Sequence, residues 1–161
     1  MRRMMMYVAA AAVVGLGATT DASAQTYRLT AVLSGANETP AAVVTGATGT
    51  AEVFVNVATE TITYRVEVFN LPSGAVGGHF HVGGPGVGGP VVIDLAPPAN
   101  VSNDFVLAGT VNPSSLRARP DQGIRTFEDF VQSLVAGQVY VNIHSAVNPG
   151  GETRGQLTVS Q

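Results

Sequence analysis

Apolar residues fall at every second position through two neighbouring runs of this chain, a period that suits a β-sheet and little else. Ala51, Val53, Val55 and Val57 alternate with polar positions such as Glu52 and Asn56. Ile62, Tyr64, Val66 and Val68 then alternate with Thr61, Thr63, Arg65 and Glu67. Successive side chains of a strand point to opposite faces, so each run predicts one apolar face and one polar face. Only Ala58-Thr59-Glu60 separates the two runs, which predicts a hairpin. Tyr27 to Leu33 reads the same way, with Tyr27, Leu29, Ala31 and Leu33 on its inner face.

The later chain continues the pattern with interruptions of glycine and proline. Ser34 to Pro40 is rich in turn formers. Strands are expected near His79 to Val82, over Val91 to Leu95, Asn103 to Thr110 and Gln138 to Ser145, and finally from Gly155 to Val159. One helix is predicted from about Phe127 to Ala136. Thr126 stands at its N-cap, Asp129 at the capping-box position, and Gly137 just past its last turn. Its apolar residues Phe127, Phe130, Val131, Leu134 and Val135 follow helical spacing and would pack on the sheet. Short strands with glycine-rich turns predict an all-β fold. The expected form is an antiparallel Greek-key or immunoglobulin-like sandwich or barrel with one short helix.

The first 24 residues read as an export signal. Arg2 and Arg3 precede an apolar run from Met4 to Leu16, and Ala22-Ser23-Ala24 offers a cleavage site before Gln25. The run is too short for a spanning helix, and no second one approaches that length. The expected mature chain is therefore a single domain over residues 25–161, in the periplasm or outside the cell. It keeps six of the eight arginines and ten of the eleven acids, and the sequence contains no lysine. That balance argues against nucleic acid as a partner. It also lacks cysteine, so no disulfide supports it.

The chain has three histidines, His79, His81 and His144. His79 and His81 are two apart on a strand and project together, opposite Phe80 and Val82. In the strand carrying Val139, Val141 and Ile143 on its apolar side, His144 falls on the polar side with Tyr140 and Asn142. All three histidines thus avoid the apolar core, the reverse of what a core-filling histidine would do. Neutral imidazoles in this pattern suit zinc or copper, and plain competition among such ligands favours copper. The simpler alternative is a set of surface histidines bonded to neighbouring loops.

Glu38 and Glu152 are candidates for an oxygen ligand or a nearby acid or base, although the sequence alone places neither beside the histidines. Arg154 either ties loops together through carbonyls and a carboxylate or recognises a ligand. The glycine-rich loop Gly83 to Pro90 lacks the lysine and the following helix of a phosphate-binding loop. Ser145 adjoins His144 in sequence but faces away from it, and no nucleophile-elbow motif is present.

Four blocks together resemble the CHRD domain, named after chordin. They are Asn37-Glu38-Thr39-Pro40, Gly78-His79-Phe80-His81 with its following loop, Tyr140-Val141-Asn142-Ile143-His144-Ser145, and Gly150-Gly151-Glu152-Thr153-Arg154-Gly155-Gln156. The resemblance covers roughly residues 27–159. Departures are Ala41, Gly78 and Ser145, and Pro113 to Gly123 reads as an insertion carrying Arg117 and Arg119. The resemblance implies an all-β module without established activity in bacterial members, and a binding role by analogy with chordin. A fainter likeness to copper-zinc superoxide dismutase is partial, since that pattern needs more histidines and a disulfide.

These observations lead to three expectations. The first is an exported, non-catalytic module that binds an unidentified protein or small ligand and holds one copper or zinc ion through His79, His81 and His144. The second is a copper or zinc metalloenzyme, redox-active or hydrolytic, using the same histidines. The third is a structural envelope protein.

Overall fold

Period-two patterning has the expected outcome: the strands build one antiparallel sheet that curls on itself. The computed structural model describes residues 25–95 and 102–160. The N-terminal segment read as an export signal, residues 1–24, lies outside the described residues. The strands are β1 (Thr26–Ser34), β2 (Thr48–Asn56), β3 (Thr61–Phe69), β4 (Ala75–Val82), β5 (Val91–Asp94) and β6 (Phe105–Val111). After the helix α1 (Phe127–Val135) come β7 (Val139–Ser145), β8 (Thr153–Gln156) and β9 (Thr158–Val159). Their order across the sheet is β5-β4-β7-β8-β1-β2-β3-β6, with β9 paired to β1. No described helix is long and apolar enough to cross a membrane.

The hairpin of β2 and β3 pairs in continuous register from Thr48↔Phe69 to Asn56↔Thr61. Ala51, Val53, Val55, Ile62, Tyr64, Val66 and Val68 all point inward and are buried. Val57 departs from the expectation. It is 41 % exposed, because β2 ends at Asn56 and the turn has already begun.

The curl brings β4 over β3. Phe80 meets Tyr64 edge-on, with ring centroids 5.9 Å apart, and lies 6.2 Å from Phe130 of α1. The sandwich-or-barrel architecture is thus realised as a single sheet whose inner face closes on itself, with α1 packed against it. Phe127, Phe130 and Leu134 are the buried residues of that helix.

The helix starts where the sequence places it. Thr126 Oγ1 accepts from the Asp129 amide at 3.1 Å, and Asp129 Oδ2 accepts from the Thr126 amide at 2.9 Å. This reciprocal cap satisfies donors that the first turn would otherwise leave unpaired. Thr126→Ala is expected to cost about 1 kcal/mol, read as a shifted urea midpoint with an unchanged slope.

The final strand divides in two. β8 pairs with β7, whereas β9 pairs with β1. Leu157 sits between them, fully buried, its amide donating to the Val139 carbonyl at 3.0 Å. The break marks a change of neighbour, which alternation in one strand cannot reveal.

Candidate metal centre

Strand β7 is buried along its whole length. Val139, Val141 and Ile143 face the apolar core, so Tyr140, Asn142 and His144 must be covered from the other side. The cover comes from the loops before β5 and before β8. Gly89 in the first loop receives the hydroxyl of Tyr140 at 3.2 Å on its carbonyl. Pro149 in the second lies against His144.

The β4–β7 register sets the histidine trio. Gly77 stands opposite His144, His79 opposite Asn142, and His81 opposite Tyr140. Gly77 leaves the space its neighbours need: a Cβ there would lie 3.1 Å from the His79 ring. Ring centroids are 4.7 Å apart for His79 and His144, 5.6 Å for His79 and His81, and 5.8 Å for His81 and His144. One ring nitrogen from each histidine lies within 4.8 Å of the others. Two donors bonded to one zinc at about 2.1 Å can be at most about 4.2 Å apart. The trio is thus up to about 0.6 Å wider than a bound zinc allows.

Contacts to oxygen divide each ring into an outer and an inner nitrogen, through hydrogen bonds for His81 and His144 and through a longer contact for His79. His81 Nδ1 lies 2.9 Å from the Gly89 carbonyl oxygen, and His144 Nδ1 lies 3.0 Å from that of Pro149. A carbonyl only accepts, so both rings carry their proton on Nδ1 and keep a lone pair on Nε2. His79 presents Nε2 to Asp94 Oδ1 at 3.5 Å. The remaining nitrogens, His79 Nδ1, His81 Nε2 and His144 Nε2, are buried and have no hydrogen-bond partner among the described residues. Buried polar atoms are normally satisfied, so this cluster of three offers open acceptor positions to a ligand or to ordered water. Metal-bound histidines characteristically anchor their second nitrogen in this way.

Burial also keeps the trio neutral. It is the main cause lowering His81 to about 4, with the Gly89 hydrogen bond opposing it. His79 and His144 are lowered as well, again chiefly by burial. At neutral pH all three therefore have the lone pairs that coordination requires.

The other motif residues gather beside the trio without entering it. Glu38 Oε2 accepts from Asn142 Nδ2 at 3.3 Å, while Glu152 Oε1 accepts from Thr45 Oγ1 at 2.6 Å. Neither carboxylate belongs to the converging group of ligand atoms. Burial raises Glu38 to about 7 against the lowering effects of Asn142 and Arg154. Gly151, at φ 135°, passes so close that a Cβ would lie 2.6 Å from the Asn142 amide and 2.8 Å from Glu38. Only glycine fits there.

Arg154 is 2 % exposed. Its Nη1 donates to Thr39 Oγ1 at 2.8 Å, and its Nη2 donates to the carbonyls of Gly84 at 2.9 Å and Val87 at 2.8 Å. The guanidinium carbon lies 3.5 Å from the centroid of the Tyr140 ring, which stacks on His81 with centroids 4.9 Å apart. Arginine, tyrosine and histidine form one column from β8 to the site. The sequence alone assigns no site role to Tyr140, Gly77 or Asp94. Tyr140 does share the polar side of its strand with His144, and Asp94 ends the strand that pairs with the His-x-His segment.

A curled antiparallel β-domain with a histidine trio beneath two loops, His81 and His144 buried and His79 half-buried, defines a β-module with a candidate metal centre. The profile of the CHRD domain matches residues 29–157, and the chain belongs to that family. No curated protein matches it.

Proposed function

We propose that this chain is an exported, non-catalytic CHRD module that holds one copper or zinc ion through His79, His81 and His144 and binds a partner or small ligand. The observation that carries the metal reading is the set of three buried, unpartnered ring nitrogens, each on a ring whose other nitrogen faces an anchoring oxygen. An all-imidazole donor set suits zinc and copper, and it gives calcium or magnesium none of the oxygens they require. CHRD membership supports the binding role. Export rests on residues 1–24, with cleavage near Ala24-Gln25.

The metal would lock β4 to β7 and hold the loops bearing Gly89 and Pro149 in place. Three ligands also leave a coordination position of the kind a catalytic zinc uses. Glu38, outside the ligand group but kept near 7, is the candidate acid or base for that second, enzymatic reading.

The test is metal analysis of untagged protein from the exported fraction, whose N-terminus is expected to be Gln25. About one equivalent of copper or zinc is expected, and His81→Ala is expected to lose it. At a free metal concentration a hundredfold above Kd, binding contributes about 2.7 kcal/mol, a rise in Tm of roughly 5–10 °C. Metal-free protein whose Tm ignores both ions would overturn the reading. Turnover by the loaded protein that vanishes in Glu38→Gln would shift it to the enzymatic alternative.

A further inference from the structure

His79 differs from its two companions in what stands behind it. His81 and His144 lean on main-chain carbonyls, whose charge is fixed. His79 leans on a side chain, Asp94, its partner in the β4–β5 register. Asp94 in turn divides its carboxylate. Oδ1 faces His79 Nε2 at 3.5 Å, and Oδ2 takes Nη2 of Arg117.

Arg117 reaches this position because its own backbone amide donates to the Val92 carbonyl at 2.8 Å. That bond lays the segment after β6 along the outer edge of β5. The segment is the one that reads as an insertion, and its arginine is exposed but not idle. All three side chains are partly solvated, at 23 % for His79, 47 % for Asp94 and 53 % for Arg117.

We propose that Asp94 and Arg117 form an adjustable support that sets how strongly His79 donates to the metal, with Asp94 strengthening the ligand and Arg117 restraining it. The inference rests on the metal reading above. An imidazole that donates its second N–H to a carboxylate is oriented by it and becomes a more basic ligand. The guanidinium competes for the same carboxylate and draws down its accepting power. At 3.5 Å the pair is longer than the usual 2.7–3.2 Å of an N–H···O bond, so Asp94 stands beside His79 Nε2 without closing on it. Neither residue touches the metal position. Both are positioning residues, and Arg117 makes the segment outside β5 the adjustable element of the site.

The two members of the pair therefore act in opposite directions, which a merely structural ion pair would not do. The experiment measures zinc affinity by chelator competition on the mature chain, comparing wild type with Asp94→Ala and Arg117→Gln. Both positions are solvated, so both variants are expected to fold. Asp94→Ala is expected to weaken zinc binding by about 10- to 100-fold. Arg117→Gln is expected to strengthen it several-fold. In the metal-free protein, ¹⁵N shifts of the His79 ring are expected to show the Nε2–H tautomer in wild type and Arg117→Gln, and a mixture in Asp94→Ala. Wild type that takes up no zinc overturns the metal reading and this inference together. Zinc uptake that depends on His81 but ignores both variants, or is weakened by both, overturns this inference alone.

Discussion

Replacing Arg154 with methionine is expected to be a strongly damaging change, costing roughly 2–4 kcal/mol. Methionine fills much of the volume, so the loss comes from what the guanidinium leaves behind. The carbonyls of Gly84 and Val87 and the hydroxyl of Thr39, all in part-buried bonds, lose their donor. Glu38 loses the positive charge that holds down its pKa. The stack on Tyr140 goes as well, and with it the column that supports His81. Arg154→Lys keeps the charge but not the planar fork, and is expected to recover only part of the loss. Urea denaturation gives the ΔΔG, and chelator competition is expected to show weaker metal binding in both variants. A methionine variant within about 1 kcal/mol of wild type would remove Arg154 from its structural role and favour ligand recognition.

The same residue shows where reading from sequence ends. Alternation located the inner faces of β1, β2 and β3, because a strand that buries one face must write that face into its sequence at every second position. The capping residues of α1 were legible for a similar reason: Thr126 and Asp129 satisfy backbone donors three residues away. Alternation also put His79, His81 and His144 off the apolar core. It could not say that the opposite side of β7 is buried too. That burial depends on two glycine-rich loops folding over a polar face, the first of them held by Arg154 from a strand 70 residues beyond Gly84. The pairing of His79 with Asp94 and Arg117 is equally invisible, since it needs the register of β5 and the path of the segment outside it. Val57 and the break at Leu157 fail for a smaller reason, because a periodic pattern does not announce where a strand stops or changes neighbour.

Glu38→Gln is expected to change the pH dependence of stability more than any other substitution. Burial raises the Glu38 carboxyl from 4.5 to about 7, so the folded protein holds a proton that the unfolded chain would release. Where the native state binds more protons, stability falls as pH rises. The contribution of Glu38 is therefore fully present below about 4.5 and is lost as pH climbs to about 7. At about 1.4 kcal/mol per pH unit, the whole excursion is roughly 3 kcal/mol. The histidines act in the opposite sense. Their folded pKa values are depressed, so their contribution is present above 6.5 and is lost as pH falls, for His81 towards about 4. A single wild-type curve would hide both effects between about 4.5 and 6.5. Glutamine retains an oxygen for the Asn142 amide, so it removes the titration and keeps the hydrogen bond. Urea unfolding of metal-free wild type and Glu38→Gln, from about pH 4 to 8 at fixed ionic strength, subtracts the histidines. The difference is expected to move by roughly 3 kcal/mol in favour of glutamine as pH rises, with most of the change complete near pH 7. Two parallel curves would mean that the Glu38 carboxylate carries its charge in the folded protein at no cost, contrary to its burial against Asn142 and Gly151.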